Sequence, residues 1–176
     1  FVKTHITDAE NVSRTLLLFV ILTAVRSGEA RGARWSEFNL EQKVWSIPAI
    51  RMKTQVIHRV PLAEPVVELL QKQQQRSKHS IVFPSPKAGK ILTDMALTSF
   101  LRKHKAISDT PGRPATAHGF RSSFRDWASE NAYPQNLAES ALAHRIKNAV
   151  EAAYHRTDLL ERRRPMMEKW AEFVIS

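Results

Sequence analysis

The hydrophobic positions fall into blocks whose spacing separates helices from strands. From Val12 to Val25 they are dense enough for a helix buried on most sides, and Thr7-Asp8-Ala9-Glu10 upstream supplies a polar helix start. The apolar run from Leu16 to Val25, broken by Thr23, is about half of what a bilayer crossing requires, so it reads as a core helix. A short helix follows, with Ser27 as its cap, Glu29 at its positive end and Trp35 closing it against the core. Lys43 to Ala49 and Val56 to Leu62 are rich in β-branched and aromatic residues and predict two strands. The polar stretch Arg51-Met52-Lys53-Thr54-Gln55 between them predicts a hairpin tip from which Lys53 projects.

Glu64-Pro65 opens a helix with proline in its first turn, carrying Val66, Val67, Leu69 and Leu70. A short strand is expected around Ile81 to Phe83. Thr93 to Lys105 has the spacing of an amphipathic helix, with Met95, Leu97, Phe100 and Leu101 inward and a basic end at Arg102, Lys103 and Lys105. Ser108 to Pro114 forms a loop. Helical spacing resumes from Ala117 to Glu130 through Phe120, Phe124 and Trp127, which sets His118 and Arg121 on one turn. After Tyr133-Pro134 a helix is expected from Gln135 to Ala143, and Ala149 to Val174 supports one or two more, with Pro165 as a break. The expected fold class is α+β, mostly α, with a small antiparallel sheet near the N-terminal third. No internal repeat or linker divides the chain, so residues 1–176 are read as a single domain.

Composition adds a partner class. The chain is 43% hydrophobic with five glycines, as in an ordinary globular protein, yet 27 Lys and Arg against 17 Asp and Glu leave a net charge of +10. Such a surplus suits a polyanion, either nucleic acid or an anionic membrane surface. A membrane-binding helix would carry its aromatics on an exposed face, whereas here they fall on core-like spacing, so no membrane partner is expected. The absence of cysteine excludes disulfides and thiolate metal sites. Phe1 is followed by no secretory signal pattern, so a cytoplasmic location is expected, and the lack of an initiator Met suggests a piece of a longer protein with further domains.

Cutting a nucleic acid requires a nucleophile, a proton donor for the leaving oxygen, and positive charge where the transition state is most anionic. There is no tight Asp/Glu cluster at hard-cation spacing and no His-x-x-x-His pattern, so no metal or other cofactor is expected and arginines are the candidates for that charge. Two stand out by their neighbours: Arg26 in Ala24-Val25-Arg26-Ser27-Gly28-Glu29, and Arg121 in His118-Gly119-Phe120-Arg121. Arg-x-Gly-Glu is followed in order by Lys53 before Val60-Pro61-Leu62, by His-x-x-Arg, by Leu142-Ala143-His144 and by Tyr154. This order, over nearly the whole chain, resembles the catalytic domain of the tyrosine recombinases, the phage-integrase family.

The resemblance implies roles. Arg26 and Arg121 would hold the two non-bridging oxygens of the scissile phosphate. Lys53 would protonate the departing 5′ oxygen, with Arg51 and Lys43 as nearby alternatives. His118 would reach the same phosphate as a donor, or accept the tyrosine proton, and His144 would donate a hydrogen bond to it. Tyr154, with small Ala152 and Ala153 beside it, would be the nucleophile; Tyr133, before a proline, reads as a packing residue. A phenol titrates near ~10, so the neighbouring cations must favour its phenolate. Exchanging one phosphodiester for a phosphotyrosine conserves bond energy, so neither ATP nor metal is called for. Glu29 reads as a structural group that orients Arg26, and His5, His58, His79, His104 and His155 as structural histidines.

The resemblance further implies double-stranded DNA at attachment sites as the partner, a homo-tetrameric synapse, accessory DNA-bending proteins, and a place at the bacterial nucleoid. Phe120 stands where the family commonly has Leu, and Ala143 where it commonly has Gly. The alternatives are a DNA-binding module without catalysis and a type IB topoisomerase-like enzyme. The tail after Pro165, with Met166, Met167, Trp170, Phe173 and Val174, suits either the core of its own chain or a helix donated to a neighbouring protomer.

Overall fold

The densest apolar block becomes the central helix. A computed structural model of the chain describes residues 2, 11–86, 90–144 and 157–176. Helix α1 (Val12–Thr23) is capped by Asn11, whose side chain accepts from the Ser13 amide at 2.8 Å, and Leu16, Leu17 and Phe19 on it have no exposed surface. The helix start expected at Thr7 to Glu10 lies outside the described residues. Thr23 is tolerated in the core because its hydroxyl donates to the Phe19 carbonyl at 2.6 Å. Ala24 then ends the helix in the left-handed region, at φ 53°.

Helix α2 (Ser27–Arg31) follows, and its cap differs from the expected one. Ser27 is the first helical residue; the helix start is closed by Glu29, whose carboxylate accepts from the Arg26 amide at 3.0 Å. Three antiparallel strands, β1 (Phe38–Asn39), β2 (Val44–Ile47) and β3 (His58–Pro61), form the sheet in that order, with Trp45 opposite Val60. Both predicted strands are shorter than their apolar patterns. Lys43 takes a left-handed φ of 52°, and Pro48 leads into a 3-10 turn at Ala49–Arg51, so pairing stops at both ends of β2. The strand expected at Ile81 to Phe83 is a single bridge from Ile81 to Arg34. Val82 and Phe83 are fully buried, so their apolar pattern reflects burial rather than pairing. Trp45 lies on the inner face, stacked on Phe38 at 5.2 Å and packed against Phe19, with its indole N–H on Glu37 at 2.9 Å.

The remaining helices are α3 (Glu64–Arg76), α4 (Met95–Lys103), α5 (Gly119–Glu130), α6 (Gln135–Ala141) and α7 (Leu160–Ile175). α6 stops two residues short of the expected end because Ala143 adopts a left-handed φ of 50°. Pro165 does not break α7. It sits in the second turn, where it forfeits one backbone bond near the helix start.

α7 belongs to the core of its own chain. Met166, Met167 and Trp170 are buried, and the Trp170 indole donates to the Ile21 carbonyl of α1 at 2.8 Å. Its ring meets Phe124 edge-on at 5.4 Å and Trp127 at 5.3 Å, while Tyr133 packs on Trp127 as a turn residue should. A second attachment lies at the foot of the helix. Arg59 on β3 makes a two-pronged contact with Asp158, at 2.7 and 2.8 Å, and Asp158 also accepts from the Leu160 amide at 3.2 Å. Arg163, with no exposed surface, lies 3.6 Å from the same carboxylate. His58, also buried, donates to the Ala141 carbonyl.

Two measurements test these attachments. Trp170→Ala should lower stability by about 3–5 kcal/mol in urea unfolding, since it opens a cavity and leaves the Ile21 carbonyl without its donor. Burial first, and then the charge of Arg163, lowers the His58 pKa from 6.5 to about 4. As pH falls through 6.5 the unfolded chain takes up the proton, while the folded chain refuses it until about 4, so stability is full above that window and declines within it. Between pH 7 and pH 5 the loss should be roughly 2 kcal/mol, and His58→Gln should flatten that dependence.

Candidate active site

Arg121 sits in the first turn of α5, its side chain aimed into the protein and only 5% exposed. The helix start is fixed upstream, where Thr116 accepts from the Gly119 amide at 3.0 Å. One terminal nitrogen of Arg121 donates to the carbonyl of Ala24, which the left-handed turn after α1 presents to it. The other donates to the carbonyl of Leu142 at 2.7 Å, just past α6. Each terminal nitrogen carries two N–H groups, so the one bonded to Ala24 retains one of them. Burial, and next the charge of Arg26, pushes the Arg121 pKa down to about 10, so the group remains a cation at neutral pH.

Arg26 converges on the same place from the other side. It precedes α2, pairs with Glu29 at 2.9 Å, and reaches the Ala143 carbonyl at 3.5 Å. Glu29 therefore both closes the helix start and orients the guanidinium, as its place in the sequence suggests. Its carboxylate is 5% exposed while Arg26 remains 30% exposed, so the acid forms the floor and the guanidinium the surface of the site.

His144 completes this group. Its Nε2 lies 3.4 Å from Arg121 Nη2, and since a guanidinium only donates, the contact leaves the lone pair on Nε2 and the proton on Nδ1. Burial, and then the charges of Arg121 and Arg26, hold the His144 pKa below the usual histidine value, so the ring is neutral at pH 7. Two arginines and a histidine, from three segments far apart in sequence, thus meet around the stretch Leu142–His144. Such an assembly of donors and positive charge suits a phosphate or another compact oxyanion.

The remaining predicted residues stand as follows. His118 is exposed at the start of α5, where its carbonyl accepts from the Arg121 amide at 3.0 Å; it borders α5 rather than lying within it. Lys53 is exposed on the turn between β2 and β3. That connection is docked beside the arginine site by Arg51, which donates to the Glu29 carbonyl at 2.7 Å and pairs with Glu37 at 3.3 Å. Gly32 permits this docking, because a Cβ there would come within 3.0 Å of Arg51 Nη1. The alternatives to Lys53 are both engaged elsewhere, Arg51 as described and Lys43 in an ion pair with Glu64. Tyr154 lies outside the described residues. Among the described residues, no three His, Asp or Glu side chains are grouped to hold a metal ion, and no helix is long and apolar enough to cross a membrane.

Sequence reasoning missed the carbonyls of Ala24 and Leu142, which backbone geometry alone reveals. It also assigned His58 no particular place and gave Arg163 and Asp158 no notice; their buried cluster has no local motif.

Comparison with known proteins identifies the family and the fold. The profile of the phage integrase family matches residues 2–159. The chain is 35% identical over 164 residues to prophage integrase IntA of Escherichia coli K12, covering 92% of this chain and 38% of that protein. It is 32% identical over 179 residues to the integrase of Enterobacteria phage P4, covering 93% of this chain and 40% of the relative, so it spans about two-fifths of these curated relatives. Among solved structures, a λ integrase tetramer bound to a Holliday junction superposes with a TM-score of 0.63 at 20% identity, covering 89% of this chain and 45% of that one. The XerH site-specific recombinase bound to its difH substrate gives a TM-score of 0.62 at 22% identity, over 82% of this chain and 46% of that one. The fold is that of these recombinases, and the chain belongs to the phage integrase family.

Proposed function

We propose that this chain is the catalytic domain of a site-specific DNA recombinase, an integrase that cuts and rejoins DNA through a 3′-phosphotyrosyl bond to Tyr154. The observation that carries the proposal is the convergence of Arg26, Arg121 and His144 on one spot, with Arg121 held by two backbone carbonyls. In this reading Arg26 and the remaining N–H groups of Arg121 hold the non-bridging oxygens of the scissile phosphate. The phosphate charge offsets the arginines that depress the His144 pKa, so its arrival favours the protonated ring and a hydrogen bond from it. The Tyr154 oxygen attacks phosphorus, the bond to the 5′ oxygen breaks, and Lys53 supplies the proton to the departing oxygen. His118, at the same helix start as Arg121, donates to the phosphate or accepts the tyrosine proton. In the second half the 5′ hydroxyl of the partner strand attacks the phosphotyrosine and releases Tyr154, so phosphodiester bonds are conserved.

The net charge of +10 supports duplex DNA as the partner. The λ integrase tetramer on a Holliday junction supports a tetrameric synapse, and the prophage relatives support an attachment site as the target. Accessory DNA-bending proteins and a place in the bacterial cytoplasm at the nucleoid belong to the same proposal.

The test uses the full-length parent protein and a nicked suicide duplex from the end of its own element, resolved on a denaturing gel with chelator present. A covalent adduct is expected with the native protein and none with Tyr154→Phe. Tight DNA binding without any adduct would instead favour a catalytically inert DNA-binding module. The two arginines should separate in the same assay. Arg26→Ala should cut the adduct rate by roughly 10³-fold with a smaller loss of stability than at Arg121, because Arg26 is partly exposed and Glu29, though it loses the guanidinium, keeps its bond from the residue 26 amide. Arg121→Ala should lose the rate and also about 1–3 kcal/mol of stability, because two buried carbonyls lose their donors.

A further inference from the structure

Arg163 is a guanidinium with no exposed surface, and none of its side-chain nitrogens has a hydrogen-bond partner among the described residues. Its nearest counter-charge is Asp158, at 3.6 Å. Burying a cation costs several kcal/mol, about what a well-packed apolar side chain of similar volume would avoid, so the residue adds little to stability as such. Its charge faces Asp158, whose other contacts lead to the sheet and to α6.

Asp158 is tied to the sheet by the two-pronged contact with Arg59 of β3 and to the start of α7 by the Leu160 amide. Its backbone carbonyl accepts from the Ser140 hydroxyl of α6 at 2.9 Å. One residue further, the Ala141 carbonyl takes the hydrogen bond from His58 of β3, whose Nε2 has no partner of its own among the described residues. The groups facing His58 are Arg163 and Asp158 from the foot of α7, Arg121 from α5 and the Ala141 carbonyl from α6. The end of α6 and the turn after it are thus gripped on two sides. His58 and Asp158 hold Ser140 and Ala141 from behind, while Arg121 and Arg26 hold Leu142 and Ala143 in front. In sequence, Tyr154 lies between His144, at the end of this turn, and Asp158.

We propose that the Asp158–Arg163 pair, with Arg59 and His58, is a positioning site for strand transfer: it fixes to β3 both chain ends between which Tyr154 lies in sequence. The proposal rests on Tyr154 being the nucleophile. Charged groups serve here because an ion pair with a two-pronged arginine sets orientation as well as distance, which an apolar contact does not. A nucleophile must approach phosphorus along a narrow path, and a displacement of about 1 Å can cost roughly 10²-fold in rate.

The experiment uses the full-length recombinase and the suicide duplex, with adduct formation followed in a single turnover at saturating DNA. Asp158→Asn removes the charge and keeps the shape. The adduct rate should fall roughly 10- to 100-fold while DNA affinity, read by gel shift, stays within about twofold. Asp158→Glu should restore part of the rate. Arg59→Lys, at a half-exposed position, loses the second prong and should give the same pattern if Asp158→Asn does not fold. An unchanged rate in both variants would overturn the proposal. So would a rate loss in Arg59→Lys matched by loss of DNA binding or of thermal stability, which marks a merely structural contact; Asp158→Asn leaves Arg163 without its counter-charge, so its rate is compared at a temperature where it is folded. Tyr154→Phe is run in parallel: an adduct there would overturn the nucleophile, and with it the proposal, by a result that the Asp158 and Arg59 variants cannot produce.

Discussion

The bond from Arg121 to the carbonyls of Ala24 and Leu142 is the constraint on which the site depends. It joins the end of α1, the start of α5 and the turn after α6, which no strand pairing connects. A buried guanidinium is costly unless its donors are satisfied, and these carbonyls satisfy it with charge-assisted bonds. The arrangement needs unusual backbone: Ala24 at φ 53° and Ala143 at φ 50° both lie in the left-handed region, which an alanine enters at some cost. Such strain persists when the surroundings over-determine it, as Arg121, Arg26 and the packing of α1 do here.

Electrostatics follow from that geometry. Arg26 and Arg121 repel each other across the Leu142–His144 stretch, and Glu29 relieves only part of this because it lies against Arg26. Their combined field adds to burial in holding the His144 pKa below the usual histidine value. An anion seated among them would relieve the repulsion and weaken the arginines' bias on the histidine in one event.

Much of this was legible in the sequence, for identifiable reasons. Helical periodicity placed α3, α4 and α5 within about two residues because their apolar positions repeat at helical spacing, although Met95, expected inward at the start of α4, is exposed. The arginines were legible because Arg-x-Gly-Glu and His-x-x-Arg are local patterns tied to helix starts. Strand lengths were not, because Lys43 and Pro48 limit pairing through backbone angles that an apolar count ignores. Ile81 to Phe83 read as a strand because burial and pairing select the same residue types. Whether the tail packed on its own chain was undecidable from pattern alone, since a core helix and a donated helix carry the same apolar face. The cluster of Arg59, Asp158 and Arg163 was invisible for another reason: Arg59 lies 99 residues from Asp158, and a buried arginine looks like any surface one until the fold encloses it.

The position of Trp170 governs the order in which the molecule can be made. α1 lies near the beginning of the chain, and one flank of it is covered only when α7, well over a hundred residues later, docks and donates to the Ile21 carbonyl. A ribosome therefore releases the central helix long before the element that shields it. During that interval Leu16, Phe19 and their neighbours depend on the sheet and α4 for cover. The topology of the domain thus leaves part of its core apolar surface uncovered until the last helix is made, the kind of exposure that favours aggregation before folding is complete.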